Sequence, residues 1–147
     1  MTLRHSVFLA TASLTFLAAT LLATRPAQSE SPKTDSQTRV FEIRTYTTEP
    51  GKLPDLLKRF RDHTTKLFEK HGMANIGYWV PTDEPRSKNT LIYILAHASR
   101  DAAKKSWDGF KTDPDWIKVR DASEANGKIV TKVESIYADP TDFSAIK

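Results

Sequence analysis

Apolar and polar residues alternate along RVFEIRTYT, residues 39–47, with Phe41 and Ile43 on one side and Glu42, Arg44 and Tyr46 on the other. A period of two predicts a strand. Glu49-Pro50-Gly51 ends it, because proline and glycine interrupt regular structure. From Lys52 to His71 the spacing changes. Leu53, Leu56, Leu57, Phe60, Thr64, Leu67, Phe68 and His71 recur at steps of three and four and form one helical stripe. Asp55, Lys58, Arg59, Asp62, Lys66, Glu69 and Lys70 occupy the remaining, polar surface. Pro54 falls in the first turn, where a missing N–H costs nothing, and Gly72 follows the last periodic residue. Burial of each large stripe residue contributes about 1.5–3 kcal/mol before entropy is counted.

NIGYWV, residues 75–80, predicts a second strand, and a polar loop with two prolines runs to Asn89. TLIYILAH, 90–97, predicts a third strand. Ser99 is placed to cap a helix carrying Ala103, Trp107 and Phe110. Asp113-Pro114 restarts the helix with an acidic cap and proline at the first helical position. This second piece carries Trp116, Ile117 and Val119. KIVTKVESIY, 128–137, predicts the last strand. The order β-α-β-β-α-β is that of an α+β, ferredoxin-like domain, a four-stranded antiparallel sheet with helices on one face. In the third strand Leu91, Tyr93 and Leu95 share one face and Ile92, Ile94 and Ala96 the other, so both faces are apolar. A half-solvated antiparallel strand would alternate with polar residues. The helix-free face is therefore expected to be covered, most economically by a second copy of the chain. On this reading Glu42, Arg44 and Tyr46 line an intersubunit or pocket interior, with Glu42 or Glu134 as the partner of Arg44.

The N-terminal segment changes the charge balance. Arg4 and His5 precede an uncharged run from Val7 to Ala23, and Ala27-Gln28-Ser29 offers a small-residue cleavage site, the layout of a secretory signal peptide cut after Ser29. The run, about 17 residues interrupted by hydroxyl side chains, is marginal for crossing a bilayer, so membrane contact is expected only through an uncleaved leader. The boundaries expected are a signal peptide at 1–29, a flexible linker at 30–38, one domain at 39–137 and a C-terminal tail at 138–147. Loss of 1–29 removes Arg4 and Arg25 and no acid, so the formal charge of +4 falls by two. That leaves no electrostatic case for nucleic acid. The chain has no cysteine, which excludes disulfides, thiolate metal sites and a cysteine nucleophile, and agrees with export to a periplasmic or extracellular space.

FEIRTYTTEPGKL, a helix ending in FEKHG, the strand IGYW, a hydrophobic strand and a helix with DPDW together resemble the NIPSNAP family over residues 39–137. The pieces that carry the resemblance are Arg44-Thr45-Tyr46, Pro50-Gly51-Lys52, Gly77-Tyr78-Trp79 and Asp113-Pro114-Asp115-Trp116. The family is similar to the dimeric α+β barrels, which implies the same fold and a face-to-face homodimer. Its members are described around mitochondria or vesicle traffic, with no settled enzymatic activity. A single domain behind an export signal resembles an exported bacterial member instead, to which those organelle roles do not carry over. Where the family's third strand often has a tryptophan, this chain reads LIYILAHAS.

His63 and His71 lie eight residues apart on the first helix, about 12 Å along its axis, too far to share a metal, and no metal-binding spacing occurs. No metal or cofactor is expected. His97, at the end of the third strand on the Tyr93 face, is a plain strand-end residue or a general base; Tyr46 and Arg44 are its candidate catalytic companions. Trp79, Tyr93, Trp107 and Trp116, with Tyr46 and Arg44, either form core or line a flat apolar pocket for a small apolar or aromatic molecule. Asp113 and Asp115 read as a helix cap rather than paired catalytic acids. The functional expectation is a dimeric module that binds such a molecule or another protein. The alternative, by analogy with related barrels, is a cofactor-independent monooxygenase-type or isomerase-type enzyme.

Overall fold

The computed structural model describes residues 39–147; the leader and linker expected at 1–38 lie outside the described residues. Strand β1 spans Val40–Thr48, β2 Ala74–Trp79, β3 Thr90–His97 and β4 Val130–Ala138. They form one antiparallel sheet in the order β2-β3-β1-β4. Helices α1 (Leu53–Arg59) and α2 (Thr65–Lys70) follow β1, and α3 (Arg100–Thr112) and α4 (Pro114–Ser123) follow β3. This is the α+β, ferredoxin-like plan.

Both caps predicted for the second helical segment form. Ser99 Oγ accepts from the Ala102 N–H at 3.0 Å, and Asp113 Oδ1 accepts from the Asp115 N–H at 2.8 Å. Asp113 turns the chain between α3 and α4, and its other oxygen accepts from His71 Nε2 at 2.6 Å and lies 2.8 Å from Lys70 Nζ. Hydrogen bonds from Lys70 and then His71 hold the Asp113 carboxyl well below the usual carboxylate range. His71 thus ties the end of the first helical segment to the start of α4.

The first helical segment differs from expectation. Between α1 and α2 lies a π turn, Phe60–Thr64. The Thr65 N–H bonds to the Phe60 carbonyl, and the buried Thr64 hydroxyl donates to the Arg59 carbonyl at 3.2 Å. Thr64 is the one hydroxyl residue in the apolar stripe, and its burial requires a partner for its oxygen. The wider turn supplies one. It also keeps Phe60, its first residue, and Leu67, beyond its end, in the core.

Phe60 stands at the centre of that core. Its ring meets Tyr46, Phe68, Tyr78 and Tyr93 edge-on, at centroid distances between 5.2 and 6.0 Å. Leu53, Leu56, Leu91, Leu95 and Ile129 close around these rings. Among the described residues, no helix covers the opposite face of the sheet. Register places Ile43, Ile94 and Ile136 side by side there, and Ile92 beside Trp79. Trp79 is 51% exposed and Ile136 65%. Residues Pro140, Ser144 and Ile146 of the tail lie against Phe41, Ile43, Ile76 and Ile94 at one end of this face, and Arg39 Nε donates to the Lys147 carbonyl at 2.7 Å.

Candidate functional site

Glu42, Arg44 and Tyr46 project toward the helices, not onto the free face. Arg44 stands between Tyr93 on β3 and Ser135 on β4, and Glu42 between Leu95 and Tyr137. They therefore do not line a sheet-to-sheet interface. Glu134, the alternative partner expected for Arg44, pairs in register with Thr45 and so points to the other face. The partner of Arg44 is Glu42, at 2.5 Å.

Glu42 is the hub of the network. Its Oε2 accepts from Trp107 Nε1 at 2.7 Å and lies 2.9 Å from His97 Nε2. Its Oε1 accepts from Arg44 Nη1 and from Ser135 Oγ at 2.7 Å. The donors come from β1, β3, β4 and α3, so one carboxylate joins four elements. Burial by itself would raise the Glu42 pKa. Hydrogen bonds from His97, Ser135, Trp107 and Arg44 outweigh that and bring it from 4.5 down to about 2. The guanidinium of Arg44 lies 4.2 Å from the Trp107 ring centroid, a cation–π contact. Arg44 Nε, His97 Nδ1 and the Tyr93 hydroxyl are buried without a hydrogen-bond partner among the described residues. Burial, then Tyr46, pushes the Tyr93 hydroxyl well above its ordinary pKa of 10, so it stays protonated.

Beside this network a cleft of about 560 Å³ opens between α3 and β4. Trp107, Arg44, Ser135 and Tyr137 line its inner side, and Arg100, Lys104 and Lys111 its rim. Arg100 packs 3.3 Å above the Tyr137 ring centroid, and Lys104 pairs with Asp108 at 2.8 Å. The lining combines charged side chains with the aromatic surfaces of Trp107 and Tyr137.

The residues expected to share a site fall in four places. Arg44, Trp107 and His97 meet at Glu42. Tyr46 and Tyr93 pack against each other, their rings 5.3 Å apart, and Tyr46 also touches the network: its hydroxyl accepts from Arg44 Nη2 at 3.4 Å and its ring centroid lies 5.5 Å from the Arg44 guanidinium carbon. Tyr93 is fully buried and has Phe60, Phe68 and Tyr78 within 6 Å as well, so it bounds no flat pocket. Trp116 packs on Phe110 at 4.5 Å, away from Arg44. Trp79 lies on the opposite side of the sheet. Its indole crosses the strand over Gly77, where an added Cβ would come within 2.4 Å of the ring. His97, at 1% exposure, meets Glu42 and not solvent. Among the described residues no group of three or more His, Cys, Asp or Glu side chains is arranged to hold a metal ion, and no helix is long and apolar enough to cross a membrane.

Ser135 and Tyr137 were not singled out by sequence. Neither was Arg59, which the helical pattern assigns to the polar surface but which is 5% exposed. Its Nη1 donates to Ser123 Oγ at 3.0 Å and Glu124 Oε1 at 3.1 Å. The alternation of β4 could have pointed to Ser135 and Tyr137, which share a face with Val133.

Comparison with known proteins gives a family model match to NIPSNAP over residues 41–145. Among solved structures, a NIPSNAP family protein of unknown function from Agrobacterium tumefaciens is similar, with a TM-score of 0.64 and 23% identity, covering 76% of this chain and 96% of that one. An uncharacterized NIPSNAP domain protein from Burkholderia xenovorans has a TM-score of 0.60 and 19% identity, covering 71% and 97%. A monooxygenase from Streptomyces coelicolor, solved in complex with nanaomycin D, has a TM-score of 0.53 and 12% identity, covering 76% and 95%. At these identities the likeness is one of fold. A comparison with curated proteins finds no match.

Proposed function

The chain belongs to the NIPSNAP family, and from that premise we propose that it works as an exported, homodimeric interaction module, paired through the helix-free face of its sheet. The observation that carries this reading is the composition of that face. Trp79 and Ile136 are more than half exposed, in register with Ile92 and Ile43. Leaving such a surface in water forfeits about 25 cal/mol for every Å² of apolar area that association would remove. Large contiguous apolar patches mark interaction surfaces. The face is self-complementary in kind, apolar against apolar, as a two-fold interface requires.

Native mass spectrometry of the purified protein, gently ionised and then denatured, tests the reading. The wild type is expected to fly as a dimer and Ile136→Asp as a monomer with unchanged circular dichroism. Ile136 is exposed in the protomer, so this substitution probes association and not folding. A monomeric wild type, or a dimer indifferent to Ile136→Asp, refutes the proposal.

A second reading, ligand binding on the helix side, rests on the cleft beside Arg44 and Trp107. Its volume falls within the range of about 300–1,000 Å³ common for small-molecule sites. Its charged rim suits a polar or acidic aromatic molecule better than the largely apolar or aromatic one expected from sequence. The enzymatic alternative would act here through Arg44, with His97 and Tyr46 behind it. The observation in its favour is the set of unpartnered polar atoms at Arg44, Tyr93 and His97. His97→Ala separates the two. A binding module keeps its ligand affinity, whereas an enzyme using His97 as a base loses roughly two to four orders of magnitude in rate.

A further inference from the structure

On the outer side of the helical layer, away from the Glu42 network, α1, the π turn and α4 enclose a cleft of about 800 Å³. Arg59 is built into its wall. Both of its hydrogen bonds to α4 and the residue after it run through Nη1, and its Nε has no partner among the described residues. The guanidinium carbon sits 5.4 Å from the Trp116 ring centroid. The group is thus fixed in place with donor capacity left over. An arginine needed only to tie α1 to α4 would be expected to use its fork in full, because a buried unpaired donor costs stability. The π turn begins at the very next residue, and Asp62 and His63 within it reach the cleft rim. Single π turns inside helices recur at functional sites.

The charge around the cleft is uneven. Among its acids, Asp55 pairs with Lys52 at 3.3 Å, Asp62 with Lys58 at 2.5 Å, and Asp115 with Lys70 at 2.9 Å. Lys66 and Lys118 also line it, and neither forms an ion pair among the described residues. Leu67, Val119 and Ala122 supply an apolar wall between them, which the lysine stems extend. A bare inorganic anion would leave that wall unused, and a neutral apolar molecule would leave unused the two lysines and the Nε of Arg59, whose Nη1 pairs with Glu124 at 3.1 Å.

We propose that the cleft between the first helical segment and α4 binds an amphipathic carboxylate, its acid group held by Arg59, Lys66 and Lys118 and its apolar body against Leu67, Val119 and Ala122. A planar guanidinium matches a carboxylate in geometry as well as charge. This site is separate from the charged cleft at Arg44 and does not depend on the sheet-face pairing.

Isothermal titration of the full chain with octanoate, octan-1-ol and inorganic phosphate tests it. Octanoate is expected to bind at least about tenfold more tightly than either control, each of which lacks half of the recognition. The double variant Lys66→Glu/Lys118→Glu, both residues exposed, is expected to weaken octanoate by about tenfold, the sum of two charge reversals at partly screened positions. Arg100→Glu/Lys104→Glu, in the other cleft, is expected to leave it unchanged. Arg59→Gln is expected to abolish binding, and the lysine pair keeps the test independent of any loss of fold in that variant. No octanoate binding, equal binding of octan-1-ol, indifference to the Lys66/Lys118 reversal, or sensitivity to the Arg100/Lys104 reversal would each overturn the proposal.

Discussion

Replacing Glu42 by Gln removes the one charge that four donors were assembled to hold. The wild-type carboxyl titrates at about 2 instead of 4.5. Each unit is worth about 1.36 kcal/mol, so ionisation favours the folded state by about 3 kcal/mol, and solvent reaching Arg44 and Ser135 through the cleft screens this to about 2 kcal/mol. The sign follows from the lowered value. A carboxyl that binds its proton less tightly when folded contributes fully above the unfolded pKa of 4.5, and the contribution is lost as pH falls toward 2. In Glu42→Gln that contribution is absent at every pH. The amide also offers an N–H₂ group where only acceptors fit, leaving the Arg44 charge without its partner. Truncating one side of a buried ion pair costs about 3–5 kcal/mol. Urea unfolding of both proteins, followed by far-UV circular dichroism between pH 7 and pH 2.5, measures the difference. The gap should be about 3–5 kcal/mol at pH 7 and should narrow by about 2 kcal/mol below pH 4.5. The subtraction cancels the other carboxylates, which titrate in both. A gap that stays constant across this range, or one under about 1 kcal/mol at pH 7, would show that Glu42 is not held as an anion by these donors.

Phe60→Ala should cost about 3–5 kcal/mol in urea unfolding, since four aromatic rings lose their common neighbour; a cost under about 1 kcal/mol would mean that the core closes over the gap. Ser99→Ala should cost about 0.5–2 kcal/mol by the same measurement, through the lost bond to the Ala102 N–H, with no change at the Glu42 network. Gly77→Ala should displace the Trp79 indole, seen as a shifted tryptophan emission maximum with little change in unfolding midpoint. An unshifted spectrum would mean that the indole does not lie over Gly77.

The order of elements was legible because each rests on a local signal: a period of two or of three to four, a proline, a glycine, a capping Ser or Asp. The inner face of β1 was not. Alternation sorts Phe41 and Ile43 from Glu42, Arg44 and Tyr46, yet it does not say which set turns inward. The usual inference places the apolar set inside. Here the polar set is inside, because it is satisfied there by groups remote in sequence: His97 is 55 positions from Glu42, Trp107 is 65 and Ser135 is 93. No local pattern carries such a pairing. Arg59 was hidden for the same reason. It occupies a polar position of the α1 helical stripe, and only the approach of Ser123 and Glu124 buries it. The aromatic set was read as one group by residue type, whereas strand parity divides it. Trp79 shares parity with Gly77 and faces Ile92, while Tyr78 turns to the core.

The distribution of polarity across the sheet bears on how the two proposed activities relate. The helix side buries an ion pair, a histidine and an indole N–H, and the free side exposes Ile136 and Trp79 and leaves Ile43, Ile92 and Ile94 half-buried. A protomer built only for its own stability would do the reverse, since apolar packing in place of a buried ion pair is often neutral or stabilising. The inner network joins β1, β3, β4 and α3 through one carboxylate, and so fixes how those strands align. That alignment in turn sets Ile43, Ile94 and Ile136 abreast on the free face. Pairing through that face would cover Ile136 and Trp79 while the helical layer stays outermost in each protomer. Neither the cleft at Arg44 nor the cleft at Arg59 would then be closed by association. A dimer of this chain would present its ligand sites outward, and ligand affinity would be the same in the Ile136→Asp monomer as in the wild type.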